Sequence, residues 1–276
     1  MTTVETSSTL GDVLGRRSDK PSVRRAFFAI LGRDIVVTGK EIGAFLAQVL
    51  LQPLFILFVF GKVLADLGFT TNNYALVLLP GVISLTSFLT ALQSTSFPLA
   101  IDFSWTKEIE DRLLAPLPTD FVAVEKIVYA TLRALVAAVI MFPLAYLMLG
   151  SLALSWSDLP MLAVFLVLGS LVGSAVGLTL GTFVEPQRMQ LVFALVLTPL
   201  LFTGSVQFPW PALEHLRWFQ VISALNPMTY LSEGLRGQML PDTPHIPTWI
   251  CLVALGGFLT VFTVTGAVGF RRRALD

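Results

Sequence analysis

Six stretches of this chain contain no Asp, Glu, Lys or Arg: Ile42–Gly61, Leu67–Ile101, Ala134–Ser157, Leu159–Val184, Met189–Leu213 and Thr243–Phe270. Each has the roughly 20 residues that a helix needs to cross about 30 Å of hydrocarbon. Inside a bilayer the backbone must satisfy its own hydrogen bonds, and a helix does so within one segment. The expected fold class is therefore an all-α polytopic membrane protein with six transmembrane helices. The second stretch opens on a polar, turn-like run, Gly68–Asn73, so its span starts at about Tyr74. The third begins near Ile127 and carries Arg133 in its first two turns.

Charge and composition narrow the function. Only 13% of the 276 residues are charged, about half the usual share of a soluble domain. Lys+Arg and Asp+Glu number 18 each, so no net positive charge points to nucleic acid. A single cysteine, Cys251, excludes an internal disulfide or a CxxC knuckle, and two histidines, His215 and His245, leave little for a metal site. The first 41 residues hold only a short apolar run, Phe27–Leu31, and no cleavable signal peptide. The first span is expected to remain as an anchor.

Lys/Arg bias in short loops sets the orientation. The N-terminal segment, the loops after spans two and four and the tail together hold 14 basic residues, whereas the opposite side has Lys62, Arg217 and Arg236. Both termini are expected in the cytoplasm of a multi-pass cell-membrane protein. Trp156, Trp210, Trp218 and Trp249 fall at the outer boundary and Trp105 at the inner one, where amphipathic rings prefer to sit. The organisation is a cytoplasmic N-terminal segment (1–41), a transmembrane domain (42–270) and a short cytoplasmic tail (271–276).

Within the first segment, Val23–Glu41 patterns as an interfacial helix, with Val23, Phe27, Ile30, Leu31 and Thr38 on one side and Arg25, Arg33 and Lys40 on another. A plain basic tail fits the same residues, and Asp34 falls on the apolar side. Between spans two and three, Lys107 to Ala115 suits a short helix with acidic residues in its first turns, stopped by Pro116 and Pro118. Ile109 and Leu113, widened by Leu114, give it an apolar edge suited to docking on a cytoplasmic protein. A solvated loop is the alternative.

Span four carries Gly169, Gly173, Gly177 and Gly181, a smooth groove for another helix. The sequence leaves open whether that helix belongs to this chain or to a second one. After span five, Gln207–Pro211 and Asn226-Pro227 break two semi-apolar segments, Ala212–Ala224 and Met228–Leu240. They read as an outer re-entrant helical element, with Glu233 and Arg236 placed to pair at i, i+3; an ordinary extracellular helical hairpin is the alternative.

No chemistry of its own is evident. Gly39-Lys40-Glu41 and Gly61-Lys62-Val63 lack the hydroxyl of a phosphate-binding loop. Gly204-Ser205 reads as a packing or capping site, because neither histidine lies well inside a span. Arg133, the one ionisable candidate within a span, is near enough to the inner surface to snorkel. Energy for any transport would enter through another subunit.

The arrangement resembles the permeases of ABC-2 type exporters, of the daunorubicin-resistance kind. Three features carry the resemblance: Glu108–Leu117; Gln52-Pro53-Leu54 followed by Phe60-Gly61; and Phe202–Ser205 with Phe208-Pro209, Leu225–Tyr230 and Arg236. Ile109-Glu110 stand where many members have Gly-Thr. The resemblance implies a half-transporter that pairs with a second permease chain, as homodimer or heterodimer, over two cytoplasmic ATPase subunits. ATP and magnesium would be held by those ATPases and no cofactor by this chain, which is then not itself an enzyme. Lys107, Glu108, Ile109, Glu110, Asp111, Arg112, Leu113 and Leu114 would form the coupling helix that contacts them.

Phe88, Gln93, Gln190, Phe193 and Phe202 are the candidate path residues. Their apolar and aromatic character suits an amphipathic drug, an antibiotic or a lipid. An exporter of polysaccharide or lipid-linked glycan, a secondary carrier and a non-transport assembly subunit are the alternatives.

Overall fold

The structure is a computed structural model that describes residues 23–69, 74–103, 119–152 and 154–275. Nine helices of eight residues or more are described: α1 (Val23–Lys40), α2 (Ile42–Phe58), α3 (Tyr74–Ile101), α4 (Thr119–Leu149), α5 (Leu159–Phe183), α6 (Pro186–Thr203), α7 (Arg217–Ala224), α8 (Pro227–Met239) and α9 (Thr248–Leu275). α2 continues through a π-helical turn, Val59–Val63, to Asp66. Five of these helices are long and apolar enough to cross a membrane: α2 with its extension, α3, α4, α5 and α9. The fifth expected span, Met189–Leu213, corresponds to α6, whose 18 residues begin with Pro186, Gln187 and Arg188.

α3 is the axis of the bundle. Of its apolar stretch 89% is buried, against 22%, 28% and 17% for α2, α4 and α9, whose remaining apolar faces point outward. α3 is also rich in hydroxyls, which need partners once removed from water. Ser84, Thr86, Thr95 and Ser96 donate to carbonyls three or four residues back, and Ser87 shares a 2.7 Å hydrogen bond with Ser170 of α5.

The glycines of α5 explain that close approach. A Cβ on Gly173 would lie 2.6 Å from the Phe88 carbonyl oxygen, and one on Gly177 2.4 Å from that of Leu92. Gly181 faces Ser96 in the same way, whereas Gly169 makes room for Leu231 of α8. The groove thus receives helices of the same chain.

Basic residues gather at one end of the bundle, the basic end, where α3 and α5 finish and α4 and α6 start. There Phe27 and Ile30 of α1 pack on a small cluster of Leu99, Val122, Ala123, Ile127, Leu178 and Phe270. Phe28, Val36 and Val37 of α1 remain exposed.

Several boundaries differ from the sequence expectation. The first span runs past Gly61 to Asp66, which puts Lys62 near the helix's C-terminal end, where the dipole favours a cation. The third stops at Leu149, short of Ser157, because Gly150 turns the chain at φ +74°. The fifth ends at Thr203, short of Leu213, and starts earlier at Pro186, a residue favoured in a first helical turn. The last starts at Thr248 and runs through Arg271–Arg273 to Leu275.

Candidate functional site

At the basic end, Asp102 follows the last turn of α3, where the helix dipole disfavours a carboxylate. Lys126, two turns into α4, donates to it at 2.9 Å, and both side chains are at most 10% exposed. The adjacent Phe103 ring lies 5.3 Å from Phe270 and carries the Arg273 guanidinium at 4.9 Å. Arg273 also donates to the carbonyls of Gly181, Thr182 and Val184, closing the C-terminal end of α5. The ends of α3, α4, α5 and α9 are therefore bound together where the segment 104–118 departs. The expected coupling residues Lys107–Leu114, and Trp105, lie outside the described residues.

Two turns beyond Lys126 on α4 sits Arg133. Its guanidinium lies over the Phe45 ring at 4.1 Å and near the Tyr129 ring at 5.7 Å. Two cavities meet at Phe45 and Arg133. One, of about 360 Å³, is lined by Gln48, Thr90, Gln93 and Ser94 with Phe97 and Pro98. The other, of about 320 Å³, is lined mainly by Ile35, Ile42, Leu132, Val136 and Tyr129. A hydrogen bond between Thr38 Oγ1 and Tyr129 OH joins α1 to α4 along its wall.

At the opposite end, Glu233 and Arg236 of α8 form an ion pair with no exposure of either residue. Glu233 also accepts from the backbone N–H groups of Trp210 at 3.0 Å and Ile246 at 3.1 Å. Arg236 donates to the carbonyls of Ser205 at 2.9 Å and Val77 at 3.4 Å. Burial lowers the Arg236 pKa, and the Glu233 carboxylate opposes that drop through its charge and hydrogen bond. One pair thus ties α8 to the start of α3, the turn after α6 and the segment before α9.

The helix break Asn226-Pro227 becomes an N-cap. Asn226 Oδ1 accepts from Met228 N, and its Nδ2 donates to Leu200 O and Thr203 Oγ1 at the end of α6. Beside it Ser205 holds φ +51° with its hydroxyl buried and unpartnered. Trp156, Trp218 and Trp249 are exposed at this end, whereas Trp210 donates its indole N–H to Gln220 O.

The candidate path residues are dispersed. Gln93 lines the polar cavity. Phe193 packs on Phe97 of that cavity at 4.4 Å. Gln190 and Phe202 are exposed on α6, and Phe88 is buried against α5. Sequence reading missed the Asp102–Lys126 pair and the Phe45–Arg133 stack, since each joins residues that only the packing of two helices makes neighbours.

The family model for the ABC-2 type transporter matches residues 25–240. The chain belongs to the ABC-2 type transporter family. It is 27% identical over 243 residues to the inner membrane transport permease YadH of Escherichia coli K12, covering 83% of this chain and 89% of that protein. It is also similar to two chains described as putative transport permease ycf38. The one from Cyanophora paradoxa is 29% identical over 227 residues, covering 78% of this chain and 71% of that one. The one from Porphyra purpurea is 30% identical over 197 residues, covering 68% and 65%.

The ABC-2 match begins in α1 and ends just after α8, so the Arg133 cleft and the Glu233–Arg236 pair both fall inside it. With five helices apolar enough to span a membrane, this is a multi-pass membrane protein and a permease subunit of an ABC transporter. Membership in the ABC-2 family implies partnership with an ABC ATPase.

Proposed function

We propose that this chain is the permease half of an ATP-driven exporter of the daunorubicin-resistance kind, without a nucleotide site of its own. Two permease chains, identical or paralogous, pair above two ATPase subunits that hold ATP and magnesium. The match to the ABC-2 family over residues 25–240 carries this reading. Both termini are cytoplasmic, so the basic end faces the ATPases. α1 lies at that membrane surface, α6 is the fifth of six spans, and α7–α8 form the outer re-entrant element.

Lys107–Leu114 dock on the ATPase, with Glu108, Glu110, Asp111 and Arg112 as polar contacts and Leu113 and Leu114 in a groove. ATP binding favours one arrangement of the permease over another, and the coupling is the difference in affinity between them. The frame built by Asp102–Lys126 and Phe103–Arg273 supports this, because it makes the base of the segment stiff enough to pass on a push. The cargo is an amphipathic drug, antibiotic or lipid, taken past Phe88, Gln93, Gln190, Phe193 and Phe202. A polysaccharide exporter is the second reading.

Purification in mild detergent from the native membrane tests the assignment. A stoichiometric ATPase subunit should accompany the chain and be lost in the E110Q/R112Q variant. A homogeneous permease that moves cargo on an ion gradient without an ATPase would overturn it.

A further inference from the structure

We infer that the cleft between α1, α2, α3 and α4 binds an anionic amphiphile, with its headgroup on Arg133 and its apolar chain in the adjoining cavity. As a statement about cargo this rests on the export reading; as a statement about binding it rests on the cleft alone.

A guanidinium within a transmembrane helix is expensive to keep unless something offsets its charge. Elsewhere in the described bundle, buried cations have carboxylates: Lys126 has Asp102 and Arg236 has Glu233. Among the described residues no carboxylate pairs with Arg133, and its Nε is buried without a hydrogen-bond partner. Its contacts are two aromatic rings. The Phe45 ring meets the charge but offers no lone pair to the guanidinium N–H groups, with which Arg grips a planar or tetrahedral oxyanion by two bonds at once.

The surroundings divide by polarity around that group. Gln48, Thr90, Gln93 and Ser94 supply neutral donors on one side. Ile35, Ile42, Leu132 and Val136 supply an apolar slot on the other, and all four are themselves exposed along its mouth. Cavities of this size lie within the range of small-ligand sites, about 300–1,000 Å³. A free phosphate would leave the slot empty, and a neutral amphiphile would leave the charge unmatched. A phosphate or carboxylate with an acyl-like chain meets both.

Two sources supply that chemistry, an anionic phospholipid of the bilayer and an anionic cargo. The test uses the full chain in phosphatidylcholine nanodiscs and dodecyl phosphate as the probe, read by equilibrium binding. Dodecyl phosphate should bind; R133Q should weaken it roughly tenfold or more, the loss of a charge-assisted pair. Inorganic phosphate should bind far more weakly, and dodecyltrimethylammonium should not compete. V136F, which narrows the slot while leaving Arg133 in place, should weaken dodecyl phosphate as well.

Displacement by phosphatidylglycerol built into the discs assigns the site to a bilayer lipid. Resistance to that displacement assigns it to a cargo-type amphiphile. Either supports anionic binding. Wild-type affinity in both R133Q and V136F, or no binding to the wild type, overturns the inference. No ATPase is present in the assay, so its outcome is separate from that of the ATPase co-purification.

Discussion

Lys126 Nζ sits 2.9 Å from Asp102 Oδ2, joining two helices across the 24 residues that separate them in sequence. The pair closes the loop between α3 and α4 at its base, so any force on the segment 104–118 reaches two helices at once. In the proposed exporter this makes the pair a positioning device for the coupling segment.

Breaking one side of that pair should be worse than removing both. Loss of one partner of a buried ion pair costs about 3–5 kcal/mol, whereas an apolar or neutral replacement of both can be nearly neutral. K126M should unfold at lower temperature in detergent, toward the lower end of that range because the side chains retain slight exposure, and D102N/K126M should recover most of the loss. Equal stability of K126M and wild type in a thermal unfolding series would show that the pair does not brace the loop.

The Glu233–Arg236 pair makes a sharper prediction, because Glu233 also accepts two backbone N–H groups. E233Q replaces one carboxylate oxygen with a donor and leaves Arg236 uncompensated. It should destabilise the protein by about 3 kcal/mol or more, seen as loss of a monodisperse peak after mild heating. R236K should fall between E233Q and wild type: it keeps the charge and loses the fork that reaches Ser205 and Val77.

Ser205 is strained where it stands. A left-handed backbone disfavours non-glycine residues by about 1–2 kcal/mol, and its buried hydroxyl has no partner. S205G should therefore keep the carbonyl that Arg236 uses while relieving both penalties, raising the unfolding midpoint. A lower midpoint would mean that the hydroxyl has a role beyond packing.

Glycine substitutions separate helix contact from helix propensity. G177A drives a methyl to 2.4 Å from the Leu92 carbonyl oxygen and should lose about 1–3 kcal/mol, the range of overpacked sites. G257A in α9 meets nothing within 4 Å and should gain about 0.5–1 kcal/mol from the better helix former. Parallel unfolding curves of the two variants provide the check.

Helix identity was legible in the sequence wherever a charge-free run met a clear stop. The start of α3 at Tyr74 and the extent of α5 follow from Asn72-Asn73 and from the charges at Asp158 and Glu185. The i, i+3 placement of Glu233 and Arg236 was also readable, because it lies within one helix. Ends set by a turn were less so. The stop at Thr203 goes with a turn at Ser205 that brings Val206 against Gly81, where an added Cβ would meet the Val206 carbonyl oxygen at 2.0 Å. A hydropathy run carries no sign of that approach.

By itself the sequence determined that the chain is helical, rich in membrane-spanning segments, and basic at one set of helix ends, since those follow from local composition and the need to satisfy the backbone inside a bilayer. Tertiary structure alone decided which charges meet between helices. Arg133 has an aromatic face from α2 in place of a carboxylate, and Lys126 has a carboxylate from α3. Each outcome depends on the rotation and depth of one helix against another, set by contacts that no single segment contains.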